Sequence, residues 1–70
     1  MKWSITIAEP ADLGCFKPGT IIDTNGYHDP TFMSIGDDQW VSSNGGTIIP
    51  KGVLFMELII EIRTHRLFGE

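Results

Sequence analysis

The side chains best equipped for chemistry are grouped at Tyr27-His28-Asp29, which set an imidazole beside a carboxylate. That pairing serves general-base catalysis and the support of metal-bound histidines. Residues adjacent in sequence seldom meet in a productive geometry, and no serine or cysteine motif supplies a nucleophile. Asp23-Thr24-Asn25-Gly26 imitates the opening of a calcium loop, whose oxygen ligands on alternate residues converge on a hard cation. The glutamate that would close such a loop is missing, so these residues describe a hairpin turn. His28, His65 and Cys15 are too few for a structural zinc set. Gly45-Gly46 lacks the Lys-Ser/Thr and the helix start of a phosphate loop. The pattern predicts no catalytic residue, no metal, no cofactor and no enzyme.

Binding chemistry remains. From Glu9 to Asp38 the chain carries six acidic residues (Glu9, Asp12, Asp23, Asp29, Asp37, Asp38) against the single Lys17, so its loops form a negative face. Tyr27 and Trp40 stand among those loops, and half-exposed aromatics beside polar turns are frequent in interfaces. Tyr27, Asp29, Asp37, Asp38 and Trp40 are therefore the expected contacts for a host protein with a basic surface, although a tryptophan beginning a strand in so small a protein reads first as a core or rim residue. The alternative is a small anionic ligand, such as a nucleotide-like metabolite, held between subunits by Lys51, Arg63 and Arg66. Five Lys and Arg in total and a net charge of −4 leave no electrostatic footprint for nucleic acid.

Seventy residues make a single small domain, 1–70, and a chain this short buries only about 60% of its unfolded surface. Natural domains of this size recruit disulfides, a metal or a second subunit. Cys15 has no partner cysteine, so a homo-oligomer is expected, and a lone cysteine is read as filling an apolar gap in a reducing compartment. The residues after Lys2, WSITIAEP, alternate apolar with polar instead of forming an export signal. Val53 to Ile62 is apolar but contains Glu57 and Glu61, and it is far shorter than the ~20 residues that span a bilayer. A soluble, cytoplasmic protein without membrane association is expected.

The elements that would position these residues are strands. Lys2 to Ala8 alternates Trp3, Ile5 and Ile7 with polar residues, the period of a half-buried strand, and Glu9-Pro10 ends it. Residues 10–18 read as a loop held on the core by Leu13 and Phe16. Pro18 and Gly19 suit the centre of a type II turn, and Gly19 to Asp23 follows as a strand whose adjacent Ile21 and Ile22 must point to opposite sides. Asn25-Gly26 signals a hairpin. Thr31 to Ile35 puts Phe32 and Ser34 on one face and Met33 and Ile35 on the other, and Gly36-Asp37-Asp38 is the next turn. A fourth strand starts at Gln39 or Trp40 and stops at Asn44-Gly45-Gly46, and Thr47-Ile48-Ile49 forms a short pairing before Pro50. The fold expected is mainly β, a small antiparallel barrel or roll of four to five strands. Val53 to Phe68 fits two periods: a turn through about Phe55 and then a closing strand, Leu58 to His65, paired with the N-terminal strand, or a C-terminal helix packed on the sheet.

KPGTIID, the Asn25-Gly26 turn, a short strand, DDQWV and then NGG resemble, in that order, small β-rich proteins of unknown function encoded in bacteriophage genomes, with Src-homology-3-like barrels. The resemblance covers residues 2–48 and rests on Pro18-Gly19-Thr20, Asn25-Gly26 and Trp40. Residues 53–70 depart from it, being longer and more apolar. It implies an accessory protein of a mobile element that binds and inhibits a host protein in the host cytoplasm, and it carries over no catalytic residue.

Overall fold

A computed structural model describes residues 3–24 and 31–69. The expected Asn25-Gly26 turn and the contacts expected of Tyr27 and Asp29 lie outside the described residues. The strands are β1 (Trp3–Thr6), β2 (Ile21–Asp23), β3 (Phe32–Gly36), β4 (Gln39–Ser42), β5 (Ile48–Pro50) and β6 (Arg66–Gly69). A 3-10 helix, Pro10–Cys15, follows β1, and helix α1, Lys51–Met56, runs on into a π-helical turn, Glu57–Glu61. The strands form one antiparallel sheet in the order β1-β6-β2-β3-β4-β5. The fold is mainly β, as expected, but the sheet is open, with β1 and β5 as its edges, so in place of the expected barrel or roll of four to five strands there are six strands in one unclosed sheet. Pro50 ends β5 at an edge, where a residue without an N–H removes no ladder bond.

Alternation decides what each strand buries. Phe32 and Ser34 point inward while Met33 and Ile35 point out, and Ile22 is buried while Ile21 is exposed. Ile7, Leu13, Ile22, Phe32, Trp40, Leu54, Leu58, Ile62 and Leu67 form one apolar cluster, with Trp3, Phe16 and Ile49 among the residues packed against it. Leu13 and Phe16 thus anchor the connection after β1, which is helical and not a plain loop. Its first turn is held by Asp12, whose carboxylate accepts the Ala8 N–H at 2.7 Å and the Glu9 N–H at 3.0 Å. Those two donors hold the Asp12 carboxyl below its ordinary value. Cys15 is exposed, so it fills no core gap.

The C-terminal segment corrects the expected closing strand. Leu58 to His65 is not a strand: Glu57–Glu61 is a π turn, and the strand that pairs with β1 is Arg66–Gly69. Ile59, Ile60 and Ile62 favour β structure locally, but the spacing of Leu54, Leu58 and Ile62 places all three in the core from one side of a helix. Residues four apart drift round an α-helix, and the wider π turn reverses that drift, which keeps Ile62 facing the core. The Ile62 N–H donates to the Glu57 carbonyl at 2.9 Å, the spacing of a π bond, and Thr64 N–H reaches the Leu58 carbonyl at 2.9 Å. Arg63 absorbs the reversal with φ +61°, a left-handed conformation usually left to glycine. β6 then enters between β1 and β2, with Trp3 opposite Gly69. A side chain at Gly69 would collide with the Trp3 indole and lie 2.7 Å from the Ile21 carbonyl oxygen, so this crossing requires glycine.

Candidate functional site

A cleft of about 410 Å³ lies where the 3-10 helix, the Pro18-Gly19 turn and the β3–β4 hairpin meet. Leu13 and Gly14 wall it beside Asp38, Phe16, Pro18 and Trp40 make its apolar floor, and Asp37 and Asp38 form its lip. Each piece has a local cause. The Thr20 N–H closes the Pro18-Gly19 turn on the Lys17 carbonyl at 3.1 Å, with Gly19 at φ +92°. Gly36 pairs with Gln39, so Asp37 and Asp38 are the two central residues of the hairpin, and both have positive φ, +54° and +59°. That is the backbone of a type I′ turn, which aspartate accommodates better than most residues. A bulge between Ser34 and Gly36 swings the hairpin tip.

The floor is an aromatic chain. Phe16 stacks on Trp3 with centroids 5.4 Å apart and meets Trp40 edge-on, also at 5.4 Å. Trp40 is 1% exposed. It is therefore a core residue whose edge closes the base of the cleft, and the reading of Trp40 as a displayed partner contact is corrected. Its pairing opposite Ser34 in the ladder turns it inward.

The two aspartates differ. Asp38 is held twice by the start of α1: its carboxylate lies 3.1 Å from Lys51 Nζ, and its carbonyl accepts the Lys51 N–H at 2.8 Å. Gly14 lies against this pair, since a Cβ there would be 3.2 Å from Asp38 Oδ1 and 3.3 Å from Lys51 Nζ. Asp37 is exposed and has no ion-pair partner among the described residues. The fold thus brings together Asp37, Asp38 and Trp40 of the expected partner contacts and adds Phe16 and Pro18. Pro18 was legible only as a turn residue, and nothing in its spacing pointed to a cleft.

The expected anion set does not assemble within one copy. Lys51 opens α1 and is paired with Asp38. Arg63 stands beyond the far end of the helical segment. Arg66 donates to the hydroxyls of Ser4 at 3.0 Å and Thr6 at 3.4 Å on the sheet. Among the described residues no group of three or more His, Cys, Asp and Glu is placed to hold a metal ion. No described helix is long and apolar enough to cross a membrane. No family model, curated protein or solved structure matches the chain.

Proposed function

We propose that this protein is a non-enzymatic interaction module that captures a basic segment of a partner protein, with a Lys or Arg side chain of that segment lodged against Asp37 over the Phe16–Trp40 floor. The observation that carries this reading is the convergence of the exposed Asp37 carboxylate with aromatic and proline side chains at one cleft. A guanidinium or ammonium gains a charge-assisted contact from Asp37, while its aliphatic stem covers Phe16 and Pro18. Asp38 keeps Lys51 when the cleft is empty, and an incoming cation competes with that pair at the lip. A cleft of about 410 Å³ has room for a long side chain. Occlusion of a basic surface on a host protein is the biological form this activity takes if the phage resemblance holds.

The test is an amide chemical-shift titration of the full chain with an Arg-Pro-rich peptide and a Glu-Pro-rich control. Shifts confined to Gly14, Phe16, Gly36 to Trp40 and the Trp40 indole are expected for the Arg peptide, diminishing with salt and with Asp37→Asn. Equal shifts for both peptides, or a response that Asp37→Lys leaves intact, would remove the proposal.

A further inference from the structure

The other side of the sheet carries a feature that the cleft does not use. An antiparallel sheet with one face on the core ordinarily shows water a polar face. Here the register sets Ile21 opposite Met33, Met33 opposite Val41, and Val41 opposite Ile48. These four residues form an unbroken apolar row across β2, β3, β4 and β5, all on the outward face. Ile21 is 49% exposed, Met33 38% and Ile48 57%, and Val41 is half-buried between its neighbours. A shallow groove of about 220 Å³ runs beside the row, edged by Thr31 and Ser43.

We infer that a second copy of this chain covers this face, making the protein a face-to-face dimer through the Ile21–Met33–Val41–Ile48 row. Charge points to that occupant. The chain carries nine acidic residues and a net charge of −4, so self-association elsewhere opposes like charges. On the outward positions of the six strands the ionisable residues are only Asp23 and Arg66, one of each sign. This is the neutral face of an acidic molecule, suited to its own copy and without a feature that selects a charged partner. By contrast, the exposed helical stripe Val53, Met56 and Ile60 is bordered by Glu57 and Glu61, which would meet like charges across a two-fold axis.

The geometry agrees. A two-fold axis lying between the sheets and passing between Met33 and Val41 sets Ile21 of one copy against Ile48 of the other, and Met33 against Val41. The row is thus self-complementary, as an isologous interface requires. About this axis β2, β3, β4 and β5 of the two copies face each other, and four strands about 4.8 Å apart and about four residues long give a projected face on the order of 260 Å². A face of this size falls at the small end of protein interfaces and fits a weak dimer that forms at high concentration. A chain this short, with no second cysteine, has the most to gain from such a partner.

Light scattering and sedimentation of the full chain decide the matter. A mass of twice 7.8 kDa is expected at high micromolar concentration. Met33→Lys and Ile48→Lys each weaken self-association on the order of 100-fold by burying an unpaired charge, and Ile60→Lys on the helix leaves it unchanged. Near-UV circular dichroism of the buried Trp40 reports whether each variant is folded. A wild-type chain that stays monomeric at half-millimolar concentration overturns the inference, as does a dimer that Ile60→Lys dissolves and folded Met33→Lys does not. The cleft lies on the other face of the sheet, so failure here leaves the peptide titration unaffected.

Discussion

Ser34 and Met33 are neighbours in one strand, yet they belong to two different surfaces. Ser34 lines an acidic-lipped cleft over aromatic rings, and Met33 sits in a neutral apolar row. The cleft is assembled from turns and a 3-10 helix that place charges at a rim, so the selection proposed for it is by charge. The row is made by ladder register alone, so the self-association inferred for it rests on shape and desolvation. A small acidic domain can separate the two because consecutive strand residues face opposite ways: the outward strand positions carry only Asp23 and Arg66 as ionisable residues, one of each sign.

The most severe way to break this division is Trp40→Ala. It removes the largest core side chain and the cleft floor together, and a loss of about 3–5 kcal/mol is expected in chemical denaturation. Unchanged stability would mean that the two faces do not share this core. Charge reversal at Asp37 acts on one side only: Asp37→Lys is expected to weaken Arg-peptide binding at least tenfold, about 1.4 kcal/mol, while the mass in solution is unaltered. Loss of self-association in that variant would merge the two surfaces.

Smaller effects sharpen the contrast. Arg63→Gly relieves a left-handed backbone at the end of the π turn and is expected to raise stability by about 0.5–1 kcal/mol. Neither surface should change, because Arg63 belongs to neither. Met33→Thr at this half-exposed position should shift monomer stability by no more than about 0.5 kcal/mol in dilute denaturation, with its effect felt only in self-association. Least in size is the acid response of the cleft wall. The Asp12 carboxyl is lowered in the folded state by the Ala8 and Glu9 N–H groups. Its contribution is therefore complete above the unfolded value of 3.8 and is lost as pH falls through the lower folded value. Amide exchange at Ala8 and Glu9 should accelerate across that acidic window, Asp12→Asn should flatten the response, and the Met33 and Val41 amides should stay protected throughout.

Much of the fold was legible in the chain. The Pro18-Gly19 turn, the split between Ile21 and Ile22, and the opposed faces of Phe32-Ser34 and Met33-Ile35 all follow from φ preferences and the two-residue period of a strand. Less of the cleft was legible. Asp37 and Asp38 were marked by charge, but that Phe16 and Pro18 would come under them depends on where the 3-10 helix packs. Trp40 was open between core and surface because a period-2 pattern says which residues share a face and not which face is covered.

By itself, the sequence determined the β character, the turns and the alternation, since each is settled within a few bonds by sterics and side-chain direction. Only the tertiary structure decided the path of residues 51–69. Ile59-Ile60-Glu61-Ile62 satisfies both a strand and a helix locally, and the burial of Leu54, Leu58 and Ile62 against the sheet chose the helix. Tertiary structure also put β6 between β1 and β2 and drew Ile21, Met33, Val41 and Ile48 into one row. Register between strands distant in sequence is fixed by the core they jointly enclose, and no single strand carries that information.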